Sequence, residues 1–350
     1  MNKRGLFLAA GLWLAAAATA WAYDTVKTQS ETLTGRVKTI GCYEVVVAHG
    51  VTGVEKDVPV NEIVTIYFDD EPTSMKTART YLLSGRYEDA LDVLTKVDAS
   101  EVDRREVQQD LDFYKALCAC KLALGGKGTI QEAGRLMRTF AQNNTTSYHY
   151  LEACEVLGDM MVAVGAFNFA EQYYGQLEAA PWPDYRMRAL VAIGRARLAQ
   201  KTPEKLVEAQ QAFQKVLADP AEDALAQSQK LAARLGLAQC LAGDAAKRDV
   251  AIQEIEKIIA NADAEEVELH ARAYTTLGNA LVAAGRQREA LMAFLHVDLL
   301  YYTVPEMHAE ALYNLVQLWQ EMKKDERAAN ARNILLEQYK NSYWATKVGS

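Results

Sequence analysis

The sequence lacks features on which most nucleic-acid-binding proteins depend. Its 350 residues hold 38 Lys and Arg against 46 Asp and Glu, a formal net charge of −8, and the basic residues form no block. Nucleic-acid binding draws much of its affinity from neutralising phosphates, so this charge balance predicts no nucleic-acid partner. Anionic membrane surfaces are disfavoured for the same reason.

Motifs for catalysis and for metal binding are also missing. The five histidines show neither H-E-x-x-H nor the paired Cys/His spacing of a zinc site, and the chain has no G-x-S-x-G elbow and no G-x-G-x-x-G loop. The segment GGKGT, Gly125 to Thr129, resembles a phosphate loop, but Gly128 separates the Gly-Lys pair from the threonine that should follow it directly. We therefore predict a turn between two helices there, and a non-enzymatic protein with no cofactor and no bound metal.

Cysteine is scarce, and its number is odd. The five cysteines, Cys42, Cys118, Cys120, Cys154 and Cys240, leave at least one thiol free or paired between molecules, so they form no disulfide framework. Cys118 and Cys120 are two positions apart in a helical pattern, which places them about 200° apart around a helix. This spacing favours small apolar residues in helix packing over a metal or redox pair.

Only one long apolar run occurs, at the N-terminus. A basic pair at positions 3 and 4 precedes it, and the segment AWA at positions 20 to 22 ends it with the pattern of a cleavage site. Residues 1–22 therefore predict an export signal peptide, cleaved before Tyr23. An uncleaved membrane anchor is the alternative, because the run is nearly long enough to span a bilayer. No later segment is so apolar, and we expect an exported mature chain, periplasmic or extracellular, without a transmembrane segment.

Two distant stretches of the chain share one arrangement of small and aromatic residues. Cys154–Tyr174, CEVLGDMMVAVGAFNFAEQYY, and Tyr274–Phe294, YTTLGNALVAAGRQREALMAF, align at a constant offset of 120 residues. Leu-Gly, then Gly, then Ala and an aromatic residue recur in both. Weaker copies extend the pattern, and its small residue recurs 37 to 43 residues apart at Ala90, Ala133, Ala170, Ala209, Ala251, Ala290 and Ala328.

This pattern resembles the tetratricopeptide repeat (TPR), whose helix–turn–helix unit carries Leu-Gly, a later small residue, aromatic residues and Pro. The two aligned stretches match the signature most closely. The period is about 39 residues here, whereas the family repeats every 34. The resemblance implies a mainly α protein in which about seven TPR-like helical hairpins, over residues 73–350, stack into an α-solenoid, a right-handed superhelix.

Residues 23–72 have a different pattern of residue types. Alternating β-branched residues in TLTGRVKTI, YEVVVAHG and VEKDVPVNEIVTIYF are bounded by glycines, which predicts short strands and turns. Four or five strands in about 50 residues suggest a small SH3-like or Sm-like β-barrel. Because such a module is near the lower size limit for independent stability, we expect it to dock on the first helical hairpin.

In TPR arrays, the first helix of each hairpin lines a concave groove. Matching positions gives this chain an acidic strip beside a basic strip, although the Lys/Asn carboxylate clamp of the family's chaperone-binding members is not reproduced. The alternative is a solvated helix face whose charges compensate across units. The predicted groove consists of Glu152, Glu155, Asp159, Arg188, Val191, Arg195, Lys230, Ala233, Leu237, Arg272, Thr275 and Asn279.

The resemblance implies a function in protein–protein interaction. We expect an exported, non-enzymatic scaffold or adaptor that presents its groove to a protein or an extended peptide. The C-terminal segment LLEQYKNSYWATK is similar to the Tyr-x-x-Ser-x-x-Ala ends of cell-envelope TPR proteins, which suggests a role in envelope assembly or maintenance. The alternative is a ligand- or wall-polymer-binding protein that acts through the β module, with the solenoid as a spacer or an oligomerisation element.

Overall fold

A computed structural model of the chain describes residues 23–50 and 53–349. The signal peptide predicted for residues 1–22 lies outside the described residues. Within the described ranges, no helix combines the length and the apolar character needed to cross a bilayer.

A five-stranded antiparallel sheet comes first in the chain. Alternate side chains are buried, for example Leu33 and Val37 in one strand and Val45 and Val47 in the next, so the sheet has one apolar face. The strands are β1 Asp24–Thr28, β2 Thr32–Ile40, β3 Glu44–His49, β4 Val54–Pro59 and β5 Ile63–Tyr67. Their order across the sheet is β4-β3-β2-β1-β5.

The sheet is open, so the predicted closed barrel is wrong. β4 and β5 are its two edges and do not pair with each other. Val26, Ile66 and Phe68 are fully buried in the same apolar core as Met75 and Val107 of the helical part. Because helices cover the apolar face, this face is removed from water without closure of the sheet on itself.

Helices make up the rest of the described chain, and the predicted mainly α solenoid is confirmed. The helices are α1 Thr73–Leu83, α2 Tyr87–Thr95, α3 Arg105–Leu124, α4 Ile130–Asn143, α5 Tyr150–Ala163, α6 Phe167–Glu178, α7 Pro183–Ala199, α8 Pro203–Ala218, α9 Ala224–Ala242, α10 Arg248–Asn261, α11 Val267–Ala283, α12 Gln287–Leu300, α13 Pro305–Glu321, α14 Asp325–Gln338 and α15 Tyr343–Gly349. Consecutive helices pack as seven hairpins, α1/α2 to α13/α14, and the short α15 packs on the seventh.

Small residues let the two helices of a hairpin cross closely. A side-chain carbon added at Gly158 would lie 2.2 Å from the Tyr174 ring, and one added at Gly278 would lie 2.6 Å from the Phe294 ring. The recurrent alanine of the second helix is buried in all seven hairpins, with at most 4% of its surface exposed. The TPR-like spacing of glycine, alanine and an aromatic ring is therefore a packing requirement of these two hairpins, and the small residue of the second helix is one of all seven.

A buried charge network ties the sheet to the first hairpins. The Arg79 side chain of α1 is 1% exposed, bonds to Glu71 and donates to Asp110 Oδ2 at 2.7 Å. Asp110 also accepts from Tyr148 at 3.0 Å and lies 3.2 Å from His149 Nε2. Burial raises the pKa of Asp110, but its bonds with His149 and Arg79 outweigh that effect and hold the pKa below its usual value.

The sheet docks over a wider surface than the predicted contact with the first hairpin. Arg104, just before α3, donates to Asp24 of β1 at 2.8 Å. Asn61 donates to Asp184 in the first turn of α7 at 3.1 Å, so the sheet reaches the fourth hairpin. The sheet thus braces the N-terminal half of the solenoid.

Replacing the buried guanidinium should destabilise the protein strongly. Arg79→Met leaves the carboxylates of Glu71 and Asp110 buried without their cation, so we expect the free energy of unfolding to fall by about 3–5 kcal/mol, measured by urea denaturation. The control is Arg86→Met, because the Arg86–Asp89 pair is half-exposed and should contribute less than about 1 kcal/mol. Equal losses in the two variants would contradict the assigned role of Arg79.

Candidate functional site

The two ends of the solenoid meet. The segment after α14 contacts the turn between α3 and α4: Asn341 donates from its backbone N–H to the Gly126 carbonyl at 3.1 Å and from its side chain to the Gly128 carbonyl at 2.9 Å. Gly85, after α1, packs against Thr303, just before α13. We call this junction the seam, defined by Gly85 and residues 125–128 on one side and by residues 303–305 and 341–342 on the other.

Glycine makes the seam sterically feasible. A side-chain carbon at Gly125 would lie 2.3 Å from Pro305 Cβ, and one at Gly126 would lie 2.4 Å from the Ser342 nitrogen. Lys127 forms an ion pair with Glu88 at 2.6 Å. The GGKGT segment is therefore a turn between helices, as predicted, and its glycines admit the opposite end of the solenoid.

The seam closes the concave face around a cavity of about 480 Å³. All seven hairpins contribute to its wall, through the first helix of the hairpin or the segment next to it. This volume lies within the range of pockets that hold small ligands.

The contribution to the wall shifts along the helices from one hairpin to the next. The cavity is lined by the C-terminal ends of α1 and α3, by the middle of α7, and by the N-terminal ends of α11 and α13. Successive hairpins are therefore inclined to the cavity axis, as in a superhelix. Equivalent positions in different hairpins do not all face the same space.

The cavity wall is rich in charge of both signs. It carries four basic and six acidic side chains, a formal charge of −2: Lys121, Arg188, Arg195 and Arg272 against Glu155, Asp159, Glu265, Glu266, Glu268 and Glu306.

Several of these charges are paired, some across hairpins and some within one helix. Arg188 donates to Glu155 at 2.8 Å. Arg272 pairs with Glu268 at 3.1 Å, and Lys121 of α3 lies 4.0 Å from the same carboxylate. Lys121, followed by Arg272, lowers the pKa of Glu268 below its usual range. About half of the Glu268 side chain is accessible because it faces the cavity, so its ion pairs are partly screened by water.

Arg195 is the exception among the basic residues of the wall. In the described part of the chain it forms no hydrogen bond and no ion pair, although it is only partly exposed. Desolvation and the neighbouring Arg272 lower its pKa, and the nearby carboxylates of Glu268, Asp159 and Glu155 offset this only in part. Desolvation also opposes the charge of Arg188 and of Arg272, but their carboxylate partners outweigh it and raise the pKa of both. Arg195 thus has carboxylates in its surroundings but none in direct contact.

Asp159 is the acidic counterpart. Its carboxylate accepts a hydrogen bond from the Tyr174 hydroxyl at 2.8 Å. Desolvation, with Glu155 and Glu268 nearby, raises its pKa to about 6, although Lys121 opposes the shift. Asp159 is therefore largely ionised near neutral pH, in a place that disfavours its charge.

The structure brings together part of the predicted groove. Glu155, Asp159, Arg188, Arg195 and Arg272 line one cavity, with Val191 among them.

Other predicted groove residues lie outside this cavity. Glu152 lies 3.9 Å from His149 and Lys230 pairs with Glu222, while Asn279 donates to Glu310. Ala233 and Thr275 are buried, and Leu237 packs beside a core cluster. Apart from Glu152 in α5, the mismatch begins in the fifth hairpin, where the wall shifts toward the helix N-termini and uses Ser228, Gln229 and Ala232.

Position matching missed two central charges. Lys121 lies in CACKLAL, which lacks the Leu-Gly signature and so gave no anchor for alignment. Glu268 lies ten positions before Gly278 and one helical turn before Arg272, the first residue of α11 that TPR matching assigns to the groove. The high charge of the first turns of α11 and α13 was the signal available in the sequence.

The described ranges contain no group of three or more His, Cys, Asp or Glu side chains able to hold a metal ion. All five cysteines are free thiols, and Cys42 alone is not fully buried. Burial raises the pKa of Cys118 and of Cys120 to about 12, so both remain protonated at neutral pH.

Comparisons of the sequence with protein-family models and with curated proteins give no match. Solved structures with a similar arrangement include a Rap protein complexed with competence and sporulation factor, at 12% identity over 79% of both chains and a TM-score of 0.46. A tetratricopeptide repeat protein from Parabacteroides merdae is 14% identical over 79% of this chain and 95% of its own, at a TM-score of 0.44. The anaphase-promoting complex assembly Cut9-Hcn1 is 15% identical over 79% of this chain and 54% of its own, at 0.43.

Removing the charge of Asp159 should stabilise the protein at neutral pH. The pKa of this carboxyl is about 6 in the folded chain and near 3.8 when unfolded, so the folded chain binds the extra proton between these values. The stability of the unmodified protein should therefore gain a contribution as the pH falls from about 6 to 4. Asp159→Asn should remove that gain and add about 1–2 kcal/mol at pH 7, allowing for cavity water.

Urea denaturation of both proteins between pH 4 and 8 measures this effect. Asp92→Asn is the matched control, because Asp92 is about two-thirds exposed in a pair with Lys96 on α2. The same pH profile before and after Asp159→Asn would show that the carboxyl is not perturbed.

The seam can be opened by one methyl group. Gly126→Ala places that group against Ser342, so we expect faster amide hydrogen exchange in α13 to α15 and a larger radius of gyration in X-ray scattering. Gly128→Ala is the control: its φ of +90° strains the backbone as the +96° of Gly126 does, but no atom lies within 4 Å of the added carbon. Opening in both variants, or in neither, would contradict a steric role for Gly126.

Proposed function

We propose that this TPR-like helical repeat protein is a non-enzymatic scaffold that holds a charged segment of a partner protein in its central cavity. The carrying observation is Arg195, which forms no hydrogen bond and no ion pair in the described part of the chain, whereas the other basic residues of the cavity wall are paired. A partner that supplies negative charge there gains a charge-assisted hydrogen bond without breaking one within the chain.

The fold supports a scaffold by its geometry. Side chains from all seven hairpins line the same space, so a bound segment contacts many units at once.

We further propose that the scaffold acts outside the cytoplasm, in the assembly or maintenance of a cell envelope. The basic pair, the apolar run and the AWA segment at the N-terminus support export. At the C-terminus, Tyr339 and Ser342 of the envelope-like motif are buried and Ser342 forms part of the seam. These two residues are thus explained by packing, whatever the process in which the protein acts.

The alternative, a binding module formed by the β sheet with the solenoid as a spacer, has less support. The apolar face of the sheet is buried in the core that it shares with the first hairpins. On the edge strand β4, Val58 also belongs to that core, while Glu55, Lys56 and Asp57 are exposed. Alternating charges on an edge protect it from pairing with another strand.

Site-specific crosslinking in the native host tests the scaffold. A photo-reactive amino acid at Leu83, which lines the cavity and is 54% exposed, should crosslink a partner that mass spectrometry identifies. The same group at Val250 of α10, which is 61% exposed and outside the cavity wall, is the control and should not crosslink that partner.

Arg195→Gln in the Leu83 background should reduce the crosslink by about tenfold, because one charge-assisted hydrogen bond is lost. Arg195 has no partner in the fold, so thermal stability should not fall. Arg188 is not a suitable position for this test, because its removal would leave the Glu155 carboxylate without its ion-pair partner. An undiminished crosslink in the Arg195 variant, or the same partner captured from Val250, would remove the cavity from the function.

A further inference from the structure

Two side chains of opposite charge occupy equivalent positions in neighbouring hairpins of the cavity wall. Asp159 follows Gly158 in α5, and Arg195 follows Gly194 in α7. Each glycine contacts an aromatic ring of its own second helix, Tyr174 or Phe213, which fixes the register. Asp159 and Arg195 are therefore neighbours across the wall, but they form no ion pair with each other.

Neither member of this pair forms an ion pair in the described part of the chain. Desolvation and Arg272 act against the charge of Arg195, and nearby carboxylates, Asp159 among them, offset that effect only in part. Desolvation, Glu155 and Glu268 act against the charge of Asp159, and Lys121 offsets only part of their effect. An anion beside Arg195 and a cation beside Asp159 would each supply a direct partner that the fold does not provide.

We propose that the cavity binds a short peptide segment with an anionic and a cationic group two or three residues apart, the anion on Arg195 and the cation on Asp159. This rests on the proposed function and narrows its partner. Packed neighbouring helices have axes roughly 8–10 Å apart, and two to three extended residues span about 7–11 Å. The cavity of about 480 Å³ has room for a segment of this length.

The two charges can come from two sources. A free short peptide carries them at its amino and carboxyl ends, whereas a segment within a longer chain carries them on side chains. A ligand with only one sign of charge compensates only one of the two residues, and the formal charge of −2 on the wall further disfavours a purely acidic ligand.

Isothermal titration calorimetry on the purified mature chain tests this. The probes are unblocked tri-alanine, the end-blocked peptides acetyl-Lys-Ala-Glu-amide and acetyl-Glu-Ala-Lys-amide, and the neutral acetyl-tri-alanine-amide. We expect binding of unblocked tri-alanine or of at least one end-blocked charged peptide, and none of the neutral one. Tri-alanine alone would assign the site to free peptides, and an end-blocked peptide alone would assign it to internal segments.

The variants Arg195→Gln and Asp159→Asn should each weaken binding by about tenfold or more. Arg234→Gln and Asp92→Asn are matched controls, because both residues are paired outside the cavity wall, and they should leave binding unchanged. Asp159→Asn keeps an oxygen acceptor for Tyr174, so the variant should remain folded.

Failure of every charged probe to bind, or binding that neither cavity variant weakens, would overturn the proposal. A Leu83 crosslink that depends on Arg195 would still stand in that case, so the scaffold function survives with a partner of different chemistry. Loss of both results would reject the scaffold function as well.

Discussion

The structure depends on one packing constraint: a helical hairpin with two apolar faces cannot bury both by itself. The two helices come together over a glycine in three hairpins, at Gly158, Gly194 and Gly278, and every hairpin stacks on its neighbours. Every stacking step adds a small rotation, and the six steps between seven hairpins are enough to bring the last hairpin against the first two. Closure at the seam turns an open groove into a cavity.

Closure also changes the electrostatics of the wall. Side chains that would be solvated on an open helix face come near charges from hairpins remote in sequence, as Lys121 comes near Glu268. Ion pairs form where opposite charges come into contact, whereas Asp159 and Arg195 form none in the described part of the chain. The alternative interpretation of compensating surface charge therefore holds for much of the wall and fails at these two residues, where recognition is proposed.

The β sheet contributes rigidity. Its apolar face is part of the core of the first hairpins. Next to that core, the buried Arg79 of α1 ties Glu71, in the segment after β5, to Asp110 of α3. Contacts at Asp24 and Asp184 extend the brace to the fourth hairpin. A braced N-terminal half leaves the seam, which consists of turns and glycines, as the place where the two ends of the solenoid can separate.

The sequence by itself determined the hairpins, because their spacing of small and apolar residues is a local packing rule: the buried alanine recurs in all seven, and two carry the full set of Leu-Gly, alanine and an aromatic ring. Matching positions between units also pointed to five charged residues that line the cavity: Glu155, Asp159, Arg188, Arg195 and Arg272. Only the tertiary structure decided that the sheet stays open, that the two ends meet, and that Lys121 and Glu268 face one space while Lys230 and Asn279 do not. The physical reason is that the curvature of the solenoid is the sum of the small angles between successive hairpins, and the sequence of one repeat does not specify that sum.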